Sequence, residues 1–182
     1  CFQILSRAGI PVPNTVLGGY YDVEILLQKF NNQPIIIKIL EGTHGQGVIL
    51  SESKQNALAT VETLQTSGVK FVLQEYIEES KGTDIRAIVV DGVVVAAMKR
   101  TCKAGDFRSN LHRGGTSATV QLSYDEERVA LKAAKALRLA VCGVDILQSD
   151  RGPLVLEVNS TPGLEGIETT TGKNIARSII GY

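Results

Sequence analysis

Two carboxylates and an amide interrupt apolar stretches late in the chain: Asp145 in VCGVDIL, and Glu157 and Asn159 in PLVLEVN. A buried carboxylate without a partner is costly, so each must reach solvent or meet a counter-charge. Strand side chains alternate faces, which groups Val155, Glu157 and Asn159 on one side and Leu154, Leu156 and Val158 on the other. A hairpin symmetric about Arg151 sets Asp145 directly across from Glu157. Like charges in that position destabilise a sheet. One remedy is a hard divalent cation such as magnesium, which takes a few carboxylate oxygens together with phosphates; Asn159 would add a neutral oxygen on the same face. The other remedy is Arg151 or another basic side chain neutralising the pair. Spacing leaves both open.

Lys38 sits inside IIIKIL, where a lysine snorkels, pairs, or reaches for a phosphate. The segment EGTHGQG just beyond it carries Gly42, Gly45 and Gly47, whose backbone amides can approach phosphates closely. No G-K-[ST] follows, so this is not a Walker A loop, and a plain hairpin turn accounts for the glycines equally. His44 reads as a solvated loop residue. Arg100, Lys103, Arg108, His112 and Arg113 cluster around one polar stretch, TCKAGDFRSNLHRGGT, with Asn110 among them. Loops longer than about 12 residues inside compact domains are usually functional. Forked guanidiniums suit phosphate or carboxylate oxygens; the alternative is a solvated charged loop.

The elements that must carry these residues follow from periodicity and punctuation. CFQILSRAG reads as a helix closed by Gly9, and IPVPNT as an extended linker. Asp22 caps a helix with Val23, Leu26, Leu27 and Phe30 at helical spacing. PIIIKIL and VIL are strands around the glycine-rich turn, a helix runs from about Ser53 towards Gly68, and FVLQEYI is a strand. DIRAIVV-DG-VVVAAMKR is a hairpin with Asp91-Gly92 in its tight turn. Ser123 and Glu126 fit a capping box opening a helix to about Leu139. VCGVDIL and PLVLEV complete the core. Hairpins mixed with helices, without regular β-α-β alternation, predict an α+β fold with largely antiparallel sheets.

Composition narrows the function classes. The 182 residues can bury a good core as one domain or two lobes. Lys plus Arg and Asp plus Glu both number 19, so no basic excess marks a nucleic-acid surface. No apolar run is long enough to span a membrane, and no signal peptide is visible. Cys1, Cys102 and Cys142 are scattered and odd in number, which suits a reducing cytoplasm and neither a disulfide framework nor zinc. The start at Cys1 and the end within TGKNIARSIIGY suggest a piece of a longer protein with an upstream domain.

Taken together, the ordered motifs IIIKILEGTHGQGV, VLQEYIEESKGTDIRAIVV, GDFRSNLHRGG, GVDIL and GPLVLEVNSTPGLEGIE resemble the RimK family of ATP-grasp carboxylate–amine ligases over nearly the whole chain. The resemblance implies two lobes gripping ATP, residues 1–76 forming the smaller and 77–182 the larger. It implies that Lys38 touches the nucleotide phosphates, with the turn of Gly42, Gly45 and Gly47 as a cover. Glu75 and Tyr76 match the hinge that recognises adenine, for which VLQEYI would supply a strand edge with free backbone groups. Asp84 matches the residue at the ribose, and Arg108, Ser109 and Asn110 the triphosphate motif. Asp145, Glu157 and Asn159 match the magnesium ligands, with manganese as an alternative ion. Arg100 resembles a basic residue facing the transferred phosphate. The implied reaction activates a carboxylate as an acyl phosphate and adds L-glutamate to an acidic acceptor, foremost the tail of a small-subunit ribosomal protein. A small-molecule or carrier-protein acceptor, as in cofactor glutamylation or lysine biosynthesis, and a noncatalytic ATP-binding module are the alternatives. Three retained metal-ligand positions argue against the last. No direct nucleic-acid or membrane contact is implied, and a homo-oligomer is compatible.

Overall fold

The computed structural model describes residues 1–19, 22–30, 34–41, 47–109, 111 and 114–182, and among these it has nine strands, all paired antiparallel, six α-helices and a short 3-10 helix, Glu78–Ser80. They divide into two compact units, Pro13–Tyr76 and Cys1–Val12 with Ile77–Tyr182. The α+β, antiparallel architecture is the one the mixed element order predicts.

The smaller unit is a four-stranded sheet backed by two helices. Its strands are β1 (Thr15–Leu17), β2 (Ile35–Ile39), β3 (Val48–Ser51) and β4 (Phe71–Glu75), ordered β1-β4-β2-β3. Ile35, Ile37, Phe71 and Leu73 point to one face and bury against α2 (Val23–Gln28) and α3 (Lys54–Thr66). The helices start where the sequence places caps: Asp22 accepts from Glu24 N at 2.8 Å, and Ser53 from Asn56 N at 3.2 Å. One expectation fails here. VLQEYI is not a free strand edge, because β4 lies between β1 and β2 and is bonded on both sides. Thr15, the last residue of the stretch read as linker, and Val16 are β-branched and form the strand that covers it.

The larger unit is built on a five-stranded sheet, β7-β6-β5-β8-β9: β5 (Thr83–Val90), β6 (Val93–Thr101), β7 (Thr116–Thr119), β8 (Val141–Leu147) and β9 (Leu154–Asn159). Asp91 at φ 48° and Gly92 at φ 72° make the tight β5–β6 turn. On one face Ile85, Ala87, Val89, Cys142, Val144, Ile146 and Val155 pack against α4 (Tyr124–Ala136). Leu5 of α1 (Phe2–Arg7) joins this core, so the helix grouped in sequence with the smaller lobe contributes its buried residue to the larger unit. On the other face Ile88, Val90, Ala96 and Met98 are covered by Ile167 of α5 (Glu165–Thr171) and Ile175 of α6 (Ile175–Ile180). Apolar cover is thus confined to part of that face; the rest carries charge.

A bulge alters the facing expected for β9. Val144 pairs with Val158 and Asp145 with Glu157, but Ile146 pairs with Val155, leaving Leu156 extra. Val155 and Val158 therefore share the core face, and Val155 does not stand with Glu157 and Asn159. All three cysteines are free. Among the described residues no helix is long and apolar enough to cross a membrane.

Candidate functional site

Alternation along β5, β6, β8 and β9 places Asp84, Arg86, Arg100, Asp145, Glu157 and Asn159 on one face of the larger sheet. Asp145 lies across from Glu157 on β9, the expected pair, although the strands are not symmetric about Arg151: Leu147 pairs with Leu154, and the bulge at Leu156 brings Glu157 into place, with Asn159 two residues along, across from Gly143. Pro162, from the loop after β9, sits over Gly143; a Cβ there would come within 2.9 Å of it, so glycine lets the loop approach the strand.

The counter-charges come from the opposite neighbours. Arg86, paired in register with Asp145, donates from Nε to Oδ1 at 2.7 Å and from Nη2 to Oδ2 at 2.6 Å. Arg100, paired with Asp84, donates from Nε to Oδ1 at 2.6 Å and from Nη2 to Oδ2 at 2.5 Å. The same Nη2 reaches Asp145 Oδ2 at 2.9 Å. Two guanidiniums and two carboxylates thus form one chain of charge-assisted bonds, Asp84–Arg100–Asp145–Arg86, with no net charge. The basic-partner remedy for Asp145 is present, supplied by Arg86 and Arg100.

The two carboxylates shift in opposite directions because they share unequally. Burial raises the pKa of Asp84, helped by the nearby Asp145 charge; its one arginine, Arg100, and the hydrogen bond from Ser109 pull the other way but do not overcome it. Burial also pushes Asp145 up, yet Arg100 and Arg86 together outweigh it and hold its carboxyl below the usual range. Burial by itself would lower the Arg100 pKa, but Asp145 and Asp84 raise it above the usual guanidinium value, so it stays charged.

The donor chemistry of Asp145, Glu157 and Asn159 fits a hard divalent cation, since all three offer oxygen. Asp145 retains capacity for it. Of its roughly four lone-pair sites, the hydrogen bonds use one on Oδ1 and two on Oδ2, which leaves one on Oδ1. Glu157 is exposed and Asn159 half-buried, so both are within reach of solvent-borne ligands.

Other predicted residues fall elsewhere. Arg108 lies in the loop after β6, hydrogen-bonded through Nε to Asp106 Oδ1 at 3.0 Å and stacked on Phe107 with its Cζ 5.2 Å from the ring centroid. Asp106 Oδ1 also accepts from the Phe107 and Arg108 amides, which fixes that turn. Arg100, counted with this basic stretch in the sequence, is instead a buried strand residue. In the smaller unit Lys38 is half-buried on β2, across from Val72 and Val48 and away from the helix-covered face. Gly47, at φ 75°, accepts from Ile39 N at 2.9 Å and leaves no room for a side chain against Ile39. The Glu75 carboxylate accepts from Asn14 N at 2.7 Å and Asn14 Nδ2 at 3.1 Å, while Tyr76 N donates to Pro34 O at 3.3 Å. Gly42, Gly45, Asn110, His112 and Arg113 lie outside the described residues.

Arg86 is the residue that sequence reasoning passed over. It sits two positions after Asp84 on the same strand face, and that alternation was the available signal. Its partner was not visible, because β5 and β8 are about 59 residues apart at this pair and no hairpin fixes their register.

Comparison with known proteins places this geometry in context. The RimK-like ATP-grasp domain family matches residues 1–182. A probable alpha-L-glutamate ligase of Halorhodospira halophila is 50% identical over 181 residues, covering 99% of this chain and 60% of that protein. A second, from Pseudomonas fluorescens, is 51% identical over the same share of each. The chain therefore spans about 60% of the length of these curated relatives. Among solved structures, D-cycloserine synthetase DcsG superposes with a TM-score of 0.78 at 18% identity, covering 98% of this chain and 67% of that one. D-alanine–D-alanine ligase from Bacillus anthracis complexed with ATP gives 0.71 at 24% identity, covering 99% and 58%. The ATP-grasp ligase PsnB complexed with a phosphomimetic variant of its minimal precursor, Mg and ADP gives 0.75 at 24% identity, covering 98% and 56%. These likenesses establish the ATP-grasp fold.

Proposed function

The chain belongs to the RimK-like ATP-grasp family, and we propose from this that the protein is an ATP-dependent ligase adding L-glutamate to an acceptor carboxylate. The observation that carries the reading is the match over residues 1–182, together with relatives about 50% identical that are named probable alpha-L-glutamate ligases. The acceptor of this reading is the acidic C-terminal tail of a small-subunit ribosomal protein, and the reaction is a cytoplasmic one, in keeping with three free cysteines.

Asp145, Glu157 and Asn159 would hold magnesium. When bound, the ion supplies Lewis-acid neutralisation of charge on phosphate oxygens. The chain's own residues do the positioning. Lys38 and the glycine-rich turn bind phosphates in the smaller unit, and Arg108 with Ser109 and Asn110 does so in the larger. Glu75 and Tyr76 serve the adenine, and Asp84 the ribose. Arg100, fixed by Asp84 and permanently charged, faces the transferred phosphoryl group.

The acceptor carboxylate takes the γ-phosphoryl group to form an acyl phosphate with release of ADP. The amine of glutamate then attacks the acyl carbon, and phosphate leaves with the C–O bond pair. No side-chain nucleophile is needed, so positioning and charge stabilisation carry the reaction.

The test uses the full-length protein with ATP, magnesium, glutamate and a synthetic acidic tail peptide. Glutamate-dependent ADP release, with mass increments of whole glutamyl residues on the peptide, is the expected result. ADP release without any mass change on the peptide would remove the tail as acceptor. No nucleotide turnover with any acidic acceptor would leave the noncatalytic reading.

A further inference from the structure

Arg86 forks onto both oxygens of a carboxylate that the function proposed above assigns to a metal ion. We propose that Arg86 is an electrostatic gate on the metal site, closing the ligand set to a free divalent cation and opening it to one that arrives with an anionic phosphate chain. The inference rests on Asp145, Glu157 and Asn159 being the ligands.

The charge balance argues for it. In the buried chain Asp84–Arg100–Asp145–Arg86, the two carboxylates are cancelled by two guanidiniums. A cation approaching the remaining lone-pair site of Asp145 therefore meets a neutralised carboxylate with two positive groups on its other sites, and within the ligand set the negative charge left to attract it is that of Glu157. Charge repulsion across so short a path is strong where water is scarce. A triphosphate changes the balance by bringing negative charge to the same place.

The two arginines are not equivalent. Arg100 makes three bonds, two of them to Asp84, and its side chain is 5% exposed. Arg86 makes both of its bonds to Asp145, and its side chain is 19% exposed. Arg100 is anchored whatever happens at Asp145. Among the described residues Arg86 has one side-chain partner to leave, and it has an opening to solvent; its planar fork matches phosphate oxygens as well as it matches a carboxylate.

The opposing role is purely orienting. Partners that aim a metal ligand typically strengthen metal binding by about 10- to 100-fold. Orientation and gating predict opposite signs when the charge is removed, so the experiment separates them.

The full-length protein is titrated with manganese as the probe, free manganese being read by electron paramagnetic resonance without nucleotide. Arg86→Gln and Arg86→Met, each with a native circular dichroism spectrum, should bind manganese at least about tenfold more tightly than wild type, since each removes a repelling charge. Arg86→Lys, which keeps the charge and loses the fork, should stay as weak as wild type. A non-hydrolysable ATP analogue should shrink the difference between wild type and Arg86→Gln to less than about threefold, because the phosphates supply what the substitution did. Unchanged or weaker manganese binding in both neutral variants overturns the gate. The added variant Glu157→Ala separates the two readings. If wild type with the analogue binds manganese in a Glu157-dependent way while Arg86→Gln shows no gain, the gate fails and the ligand assignment stands. If Glu157→Ala binds manganese with the analogue as tightly as wild type, the ligand assignment itself fails.

Discussion

Removing the Glu157 carboxylate should leave the fold in place and remove the chemistry. Glu157 is exposed at its position across from Asp145, so its side chain contributes little to the core. Glu157→Ala in the full-length enzyme should lower magnesium-dependent turnover by at least about 100-fold, the upper range for losing even an outer partner of a metal site. Denaturation midpoints should stay near wild type, and near-normal turnover would strike Glu157 from the ligand set. Asp145 differs: it is buried between two arginines, and its removal would leave the Arg86 charge uncompensated while Arg100 kept Asp84. Much of this was legible at the residue scale. Alternation and hairpin symmetry located Asp145, Glu157 and Asn159 on one face. They did not show that Arg86 and Arg100 neutralise Asp145, since those contacts cross β5 and β6, far away in the chain.

At the scale of elements, local chemistry was the most readable part. The capping box of α4 forms as its S-x-x-E pattern requires: Glu126 N donates to Ser123 Oγ at 3.3 Å, and Ser123 N to Glu126 Oε2 at 2.8 Å. Glu126 does more than cap, because Oε1 accepts from Gln148 Nε2 at 2.8 Å and so ties the helix start to the end of β8. Ser123→Ala should cost about 1 kcal/mol. Glu126→Ala should cost more, about 1–3 kcal/mol, because it also strips Gln148 of its acceptor. Urea unfolding of both variants checks the order, and equal losses would mean the Gln148 bond adds nothing. Elements set by distant pairing were harder. β1 and β7 are short and flank stretches that read as linker and loop; each exists because a longer strand offers it an edge. The hairpin β5–β6 carries a bulge as well. From its Asp91-Gly92 turn, strict pairing would set Asp84 across from Lys99; the register shift near Val89 brings Arg100 there instead.

For the whole molecule, each unit holds an apolar core of its own. Ile37 in the smaller and Ile146 in the larger are both fully buried. Ile37→Ala and Ile146→Ala should each cost about 2–5 kcal/mol through lost burial and the cavity left behind. Denaturant unfolding followed by hydrogen exchange would place each loss: β2 and β4 amides should lose protection in the first variant, β5 and β8 amides in the second. A loss below about 0.5 kcal/mol, within the range of surface substitutions, would mean the site had collapsed around the smaller side chain. The division near Tyr76 is where the sequence passes from FVLQEYI to the segment leading into the hairpin, but the membership of α1 was not visible there. Leu5 and Ile10 are apolar residues that fit any core, and only long-range packing assigns them to the one built on β5 and β8.

Periodicity, caps and turn residues act over a few residues, and the sequence by itself determined what they govern: the starts of α2, α3 and α4, the Asp91-Gly92 turn and the antiparallel character; it placed Asp145 across from Glu157 as well, but the pairing itself is made by the bulge at Leu156. The tertiary structure decided what depends on strands distant in the chain: the cover over β4, the bulges at Leu156 and in the β5–β6 hairpin, and the arginines that hold Asp145. A register between strands some 60 residues apart follows from the sum of core packing across the sheet, and a bulge shifts every side chain beyond it to a new neighbour.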